Sequence, residues 1–347
     1  MAADDRLTNN VLGVVLVVAF ASGVVSLAFG TPLVGTWVVT AHGVAGIALV
    51  VLSRRKGRIA GRSLRRRRRR PRTSRSLVLA ALVLTTVVTG LVHGAGLTDH
   101  VGPLTLMQLH VGSAVLAVPF AVVHYRSRPA FRPRRPVSRD SVPVPPGPRR
   151  RALLQGAAVT AASGGLLVVW EGGLRVSGAP GADRRFTGSH ETGSGDPLAL
   201  PATQWLDDRV QVLASQTWRL EAAGRRLALD DVRSLPQEDV TAVLDCTGLW
   251  WSEQVWRGVR LDRLVDLGGA PSVEIRSATG YSRLLPAADL SDAWLALECG
   301  GQPLSAAHGY PARVVVPGRR GFWWVKWVVS IEPSPTPWWL QSPYPLT

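Results

Sequence analysis

Five apolar stretches of about twenty residues, at 11–29, 33–52, 77–97, 104–123 and 152–170, dominate the first half of this 347-residue chain. A helix needs about 20 residues to cross the ~30 Å hydrocarbon core of a bilayer, so all five read as transmembrane helices. The segments between them sort by charge. Residues 53–76 hold 13 basic and no acidic side chains and residues 125–151 hold nine basic and one acidic, whereas 30–32 and 98–103 contain no Lys or Arg. The positive-inside rule assigns the Arg-rich loops to the cytoplasm. That places the N-terminus inside, makes helices one to four an up-and-down bundle, and carries everything after helix five outside. The expected organisation is an all-α four-helix transmembrane domain over 1–125, an Arg-rich cytoplasmic linker with a fifth, signal-anchor-like helix over 126–170, and an extracytoplasmic domain over 171–347. The protein is expected to be multi-pass in the cell membrane.

The same pattern disposes of the formal charge of +16 as a nucleic-acid signal. The two Arg-rich loops carry +21 between them, leaving about −5 for the rest. A nucleic-acid module spreads its basic residues over a folded surface with stacking aromatics, so nucleic acid is not an expected partner and the lipid bilayer is. Two cysteines, Cys246 and Cys299, exclude a disulfide framework and a Cys-rich iron or zinc site, while one disulfide between them stays open. Residues Arg150-Arg151-Ala152-Leu153-Leu154-Gln155, just before the fifth span, resemble the twin-arginine export signature. Plain positive-inside charge supplies the same arginines, and both readings stand.

Ionisable residues inside a membrane are costly and mark function. Five of the seven histidines lie in the first half: His42 on the second span, His93 on the third, His110 and His124 on the fourth, and His100 in the outer loop. Counted from the cytoplasmic ends at Ser53, Ser76 and Tyr125, His42, His93 and His110 are 11, 17 and 15 residues in. At ~1.5 Å per residue, His110 is then within roughly 3 Å of His93 in depth and roughly 6 Å of His42. Imidazoles from facing helices at matched depth are what a b-type haem needs. His110 and His124, 14 residues apart, share a helix face in a spacing that resembles the two-haem helix of membrane cytochromes b. His124 finds no second histidine at its depth, so one haem is expected. His42 with His110 is the first pair, with His93 the substitute. Helix-packing histidines in a plain anchor are the competing reading.

Beyond a Gly-, Ser- and Asp-rich segment at 171–200, which reads as a surface linker, short β-like runs appear: WRLEA at 218, AVLDC at 242, SVEIRSAT at 272, ARVVVPG at 312 and WVKWVVSIEP at 324. Helical stretches such as LDDVRSL and LSDAWLAL separate them, giving an α+β domain with a mixed sheet. Two segments, DCTGLWWSEQVWRGVRLDRLV at 245 and GGQPLSAAHGYPARVVVPGRRGFWWVKWVVSIE at 300, resemble the most specific stretches of the sulfite oxidase family's molybdopterin domain. The resemblance runs from roughly 185 to 340.

That resemblance implies a set of site residues. The molybdenum-ligating cysteine falls on Cys246, a soft thiolate suited to molybdenum. Cys299 has no counterpart. His308 and Arg313 in HGYPAR, and Trp324, Val325 and Lys326 in the next loop, fall on positions that contact the pterin and its phosphate. A guanidinium fork is a natural phosphate clamp. Thr279 in SATGY and His190 in FTGSHE are further pterin-binding candidates. Tyr281 falls on the active-site tyrosine, with Pro286 five residues later as in the family, and its phenol can donate a hydrogen bond during oxygen-atom transfer. Arg283 stands nearby and reads equally as a surface residue.

The chain also departs from the family. Where sulfite oxidases carry a substrate-binding arginine shortly after the cysteine, Cys246 is followed by Thr-Gly-Leu-Trp-Trp. An Arg-Asn-His segment is replaced by ATQWLDD, and the family's C-terminal dimerisation domain is expected to be missing after Thr347. Neither sulfite nor a sulfite-oxidase dimer therefore carries over. Trp250, Trp251, Trp256, Trp323 and Trp324 suggest an aromatic-lined entrance suited to a sulfoxide, an N-oxide or another small oxygen donor, or else are core residues. The expectation is oxygen-atom transfer at a Mo-molybdopterin outside the cytoplasm, with electrons passing through haem b to or from quinone. Two alternatives stay open: a haem-free anchor served by a soluble redox partner, and a non-catalytic protein with a degenerate cofactor domain.

Overall fold

A computed structural model describes residues 3–28, 32–65, 72–98, 100–127, 147–204 and 208–342. Residues 66–71 and 128–146 of the Arg-rich loops, and 205–207 of the ATQWLDD segment, lie outside the described residues. The chain divides into two compact units, Met1–Val25 with Thr36–Arg184, and Ser26–Gly35 with Arg185–Thr347.

The first unit is built on five helices: α1 (Ala3–Ala28), α2 (Pro32–Arg65), α3 (Arg72–Gly94), α4 (Leu106–Arg126) and α5 (Gly147–Ser177). Each contains a stretch long and apolar enough to cross a membrane by length and composition, Thr8–Ser26, Gly35–Arg54, Ser74–Gly94, Leu106–Arg126 and Leu153–Ser177. Large apolar side chains such as Val14, Trp37, Leu84, Leu116 and Val168 stand exposed on these helices, which suits a lipid surround better than water. A hairpin of β1 (His100–Val101) and β2 (Leu104–Thr105) joins α3 to α4. Helix α4 opens on a capping box in which the Thr105 hydroxyl accepts from the Gln108 N–H and the Gln108 side chain accepts from the Thr105 N–H. The Thr86 and Ser113 hydroxyls, 2.8 Å apart, link α3 to α4.

The second unit holds two sheets over one core. The first contains β3 (His190–Glu191), β6 (Glu238–Asp245), β7 (Trp250–Arg260), β10 (Trp294–Cys299), β11 (Gln302–Pro303) and β12 (Arg313–Val315), with β7 pairing with β3, β6 and β10, and β10 also with β11 and β12. The second runs β5 (Arg225–Ala228), β4 (Arg219–Ala222), β13 (Val328–Ser334), β8 (Ser272–Ser277), β9 (Ser282–Pro286). Leu220, Ile275, Leu285 and Ile331 from one sheet and Trp256, Val259, Leu295 and Val314 from the other are fully buried in one cluster. Short helices α6 (Leu229–Ser234) and α7 (Leu261–Leu264) follow β5 and β7.

Three expectations are corrected. LSDAWLAL is not helical: it is a 3₁₀ turn to Asp292 followed by β10, because Trp294, Leu295 and Ala296 are claimed by pairing with β7 and β12. Segment 171–200 is not simply a linker, since α5 continues to Ser177 and His190–Glu191 forms a strand parallel to Trp250–Trp251. Trp256, Trp323 and Trp324 do not line an entrance; all three are buried, Trp256 and Trp324 edge to face with centroids 5.6 Å apart, where large apolar area is worth most in the core.

Candidate functional site

Strand β6 ends at Asp245 and turns through Cys246-Thr247-Gly248-Leu249 into β7, with the Cys246 N–H donating to the Trp250 carbonyl at 2.9 Å. That bond encloses a loop of three residues, Thr247, Gly248 and Leu249, and the last of them, Leu249, has φ of 75°. A three-residue hairpin loop calls for a left-handed residue there, ordinarily Gly, and holding Leu in it costs on the order of 1–3 kcal/mol. The surroundings hold it: the Leu249 N–H donates to the Cys246 carbonyl at 3.3 Å and its carbonyl accepts from the His190 N–H at 3.0 Å. Cys246 is thus presented at a fixed corner, its Sγ accepting from the Gly248 N–H at 3.3 Å. Burial pushes the thiol up from its ordinary value, opposed by the Gly248 N–H and the Arg320 and Lys326 charges. Cys246 and Cys299 are both free, so the disulfide between them does not form; burial holds the Cys299 thiol at about 11.

Two cations converge behind this corner. Arg313 on β12 is 1% exposed, donates to the carbonyls of His308 (3.2 Å) and Trp324 (3.4 Å), and lies over the Trp256 and Trp324 rings at 5.1 and 5.7 Å. Its Nε has no hydrogen-bond partner. Lys326 Nζ donates to the carbonyls of Thr203 and Ala307 and to Gln204 Oε1, all at 2.9 Å. Burial and the neighbouring Arg313 lower Lys326 to about 7, and burial lowers Arg313 to about 10. Neither cation is ion-paired with a carboxylate among the described residues. Gly309, with φ of 108°, allows the pair to approach, since a Cβ there would lie 3.0 Å from the Lys326 Cβ and 3.1 Å from the Arg313 Cβ. Buried charge without a counter-charge is expensive, and an arriving anion would remove that cost.

His308 Nδ1 lies 2.8 Å from the Ser305 hydroxyl and Nε2 3.0 Å from the Leu200 carbonyl. Burial and the Arg313 and Lys326 charges lower its pKa, keeping the ring neutral. Tyr281 donates its hydroxyl to the Phe322 carbonyl, and burial raises its pKa. Phe322 follows Gly321, where a Cβ would meet Cys246 Cα at 3.2 Å, so Tyr281 and Cys246 flank one short turn. Thr279 lies half-buried in the turn before Tyr281, its hydroxyl 3.1 Å from that of Ser277. Arg283 is not a surface residue: it is 3% exposed and stacks over Trp323 at 4.6 Å and Phe322 at 5.3 Å. Trp324 and Val325 are buried, Trp324 forming part of the floor under Arg313 and Val325 accepting from the Val314 N–H at 2.8 Å. His190 is half-buried on β3 beside the cysteine hairpin. Sequence reasoning missed Asp245, Arg320, Thr187, Ser189 and Thr203. Only the adjacency of Asp245 to Cys246, and the place of Arg320 within the family-like stretch, pointed to them.

In the helical unit the rings of His42 and His110 meet with centroids 5.9 Å apart. His42 Nδ1 lies 2.9 Å from the Ala19 carbonyl and His110 Nδ1 2.8 Å from the Thr86 carbonyl. A backbone carbonyl at Nδ1 fixes the tautomer with its lone pair on Nε2, the form a metal takes. Gly23 and Gly90 face these rings: a Cβ would fall 3.1 Å from His42 Cε1 and 2.9 Å from His110 Cε1. His93 is buried on α3, and His124 lies at the far end of α4 with Nδ1 3.0 Å from the Ser76 hydroxyl. The structure therefore brings together His42 and His110 of the four candidates.

A protein-family comparison matches residues 208–339 to the oxidoreductase molybdopterin binding domain. This part of the chain is a sulfite oxidase-type molybdopterin oxidoreductase domain. It is similar to mitochondrial sulfite oxidase of Homo sapiens (30% identical, covering 35% of this chain and 30% of that protein) and to sulfite oxidase of Arabidopsis thaliana (30% identical, covering 31% and 38%). An uncharacterized oxidoreductase of Bacillus subtilis is 28% identical, covering 33% of this chain and 64% of that protein. The chain thus spans about a third of the sulfite oxidases it matches. The donor set fits the group such a domain binds, with a half-buried thiol for the metal and two cations, unpaired with carboxylates among the described residues, for the phosphate.

Proposed function

We propose that the chain is a membrane-bound, molybdopterin-dependent oxidoreductase that transfers an oxygen atom to or from a small molecule outside the cytoplasm. The observation that carries this reading is the convergence of buried Arg313 and half-buried Lys326, without carboxylate partners among the described residues, beside the fixed corner of Cys246. Cys246 Sγ would hold the metal and Arg313 with Lys326 the pterin phosphate. His308, neutral and engaged at both ring nitrogens, would brace the phosphate loop, with Thr279 and His190 further along the pterin. Trp324 and Val325 would contribute by packing beneath Arg313 and through their backbone. Molybdenum bound there supplies two-electron exchange with an oxygen atom. Tyr281 stays protonated at neutral pH, so its hydroxyl, released from the Phe322 carbonyl, can donate to the oxygen being moved. Leu249 and Trp250 are buried where the family carries an arginine, which favours an uncharged donor such as a sulfoxide or N-oxide over sulfite.

Electrons would enter or leave through a haem b held between His42 and His110, exchanging with a quinone in the bilayer. The bundle would be multi-pass with the second unit extracytoplasmic, and the twin-arginine-like segment would export it after cofactor loading. Elemental analysis of the detergent-purified protein tests both halves. About one molybdenum and one iron per chain are expected; molybdenum without iron reduces the bundle to an anchor served by a soluble partner, and no molybdenum sinks the enzymatic reading. His110→Ala is expected to abolish iron binding and the bis-imidazole absorption spectrum while molybdenum stays. Retention of both signals would dismiss this histidine pair.

Lys326 carries a pH dependence. Its lowered pKa leaves it charged below about 7 and progressively neutral above, whereas a phosphate monoester is already a dianion there. Cofactor retention, read as pterin left after dialysis at fixed ionic strength, should therefore weaken from pH 7 to pH 9 by up to ~tenfold per pH unit. Lys326→Met should weaken retention and flatten that slope; an unchanged slope would show that another group sets it.

A further inference from the structure

Behind Cys246 lies an ionic group that the resemblance to sulfite oxidases does not supply. The Asp245 carboxylate is buried and accepts from the Thr187 hydroxyl at 2.7 Å and the Ser189 hydroxyl at 2.8 Å. Arg185 Nε approaches it at 3.2 Å and Arg320 Nη1 at 3.8 Å. Arg320 is 3% exposed, and its Nη2 donates to the Cys246 carbonyl at 3.2 Å. An isolated bridge ties the backbones of Asp245 and Arg320 together. Two guanidiniums and one carboxylate leave one net positive charge beside the thiolate-bearing residue, inside protein where charge is weakly screened.

The geometry points to Asp245 and Arg320 as positioning residues that fix the Cys246 corner and set the reduction potential of the metal it holds. This inference rests on the proposed function. A buried positive charge favours the more electron-rich state of a metal–thiolate centre and raises its potential, while a hydrogen bond to the ligand's own carbonyl fixes its orientation. Neither residue is placed to touch substrate; both act through Cys246.

The test is a potentiometric titration of the purified holoenzyme, following the paramagnetic resonance of singly reduced molybdenum, with metal content measured alongside. Arg320→Met is expected to keep molybdenum and shift the midpoint negative, so that at fixed applied potential the ratio of reduced to oxidised metal falls about tenfold. Arg320→Lys should restore most of that ratio. Asp245→Asn, which leaves both guanidiniums unbalanced, should shift the midpoint the opposite way. A merely structural ion pair would lower thermal stability and leave the midpoint in place, so unchanged midpoints in both Arg320→Met and Asp245→Asn overturn the inference. If Arg320→Met fails to load metal, the Asp245→Asn result decides: a positive shift supports the role, and a null or negative shift overturns it. Wild-type protein without molybdenum would instead overturn the proposed function itself.

Discussion

Cys246→Ser is expected to leave a folded protein whose oxygen-atom transfer to or from a sulfoxide probe, coupled to a redox dye, has dropped by at least ~10³-fold. The fold should survive because the Cys246 side chain contributes one weak hydrogen bond, from the Gly248 N–H at 3.3 Å, while the corner is held by backbone contacts and by Leu249. Serine is close to isosteric and keeps those contacts. Chemistry should fail because a hydroxyl is a hard, high-pKa ligand where the metal takes a soft thiolate. X-ray absorption should show one fewer sulfur on molybdenum, with the melting temperature little changed. Activity near wild type would remove Cys246 from the metal's coordination.

Arg313→Met is expected to act in opposite directions on binding and on stability. Losing the guanidinium removes the fully buried cation proposed to hold the phosphate, and truncating one partner of a buried, hydrogen-bonded charge pair costs roughly 2–5 kcal/mol. Pterin content should therefore fall at least ~30-fold. In cofactor-free protein, however, wild-type Arg313 is a buried charge with no carboxylate partner among the described residues and an unpartnered Nε. Methionine fills similar volume over the Trp256 and Trp324 faces without that cost, so the cofactor-free variant should melt no lower than cofactor-free wild type. Calorimetry on matched preparations checks it. A large drop in melting temperature with cofactor content retained would make Arg313 a structural residue.

Much of this arrangement is legible in sequence for physical reasons. Apolar length against bilayer thickness yields the five helices of the first unit, and the charge of the intervening loops gives a proposed orientation. The depth count brings both His42 and His93 within reach of His110 and sets His93 the nearer; the ring contact at 5.9 Å is with His42, because depth along a helix says nothing of which way a side chain faces. In the second unit, family-like stretches point to Cys246, Arg313, Lys326 and Tyr281, and the structure gathers all four around the turns at 246–250 and 320–326. Three features are hidden from it. Strand β7, the longest in the protein at 11 residues, escapes periodicity because its alternation is carried by Trp, Ser, Gln and Gly as much as by aliphatic residues. The tryptophans' burial depends on strand pairing across long sequence separations, which no local pattern encodes. The partners of Asp245, 56 and 58 residues away in Ser189 and Thr187, carry no local signal at all.

Those two hydroxyls lie on the stretch through which the chain enters its second unit, just before the parallel pairing of His190 with Trp250. A connecting segment ordinarily drifts freely, gaining and losing residues over evolutionary time. Here a single inserted residue between 187 and 190 would move the pairing by one step, turn each side chain to the opposite face, and withdraw both hydroxyls from the carboxylate next to Cys246. The entry strand and the cysteine hairpin are therefore coupled, and the length of the segment between Thr187 and His190 is fixed by both at once.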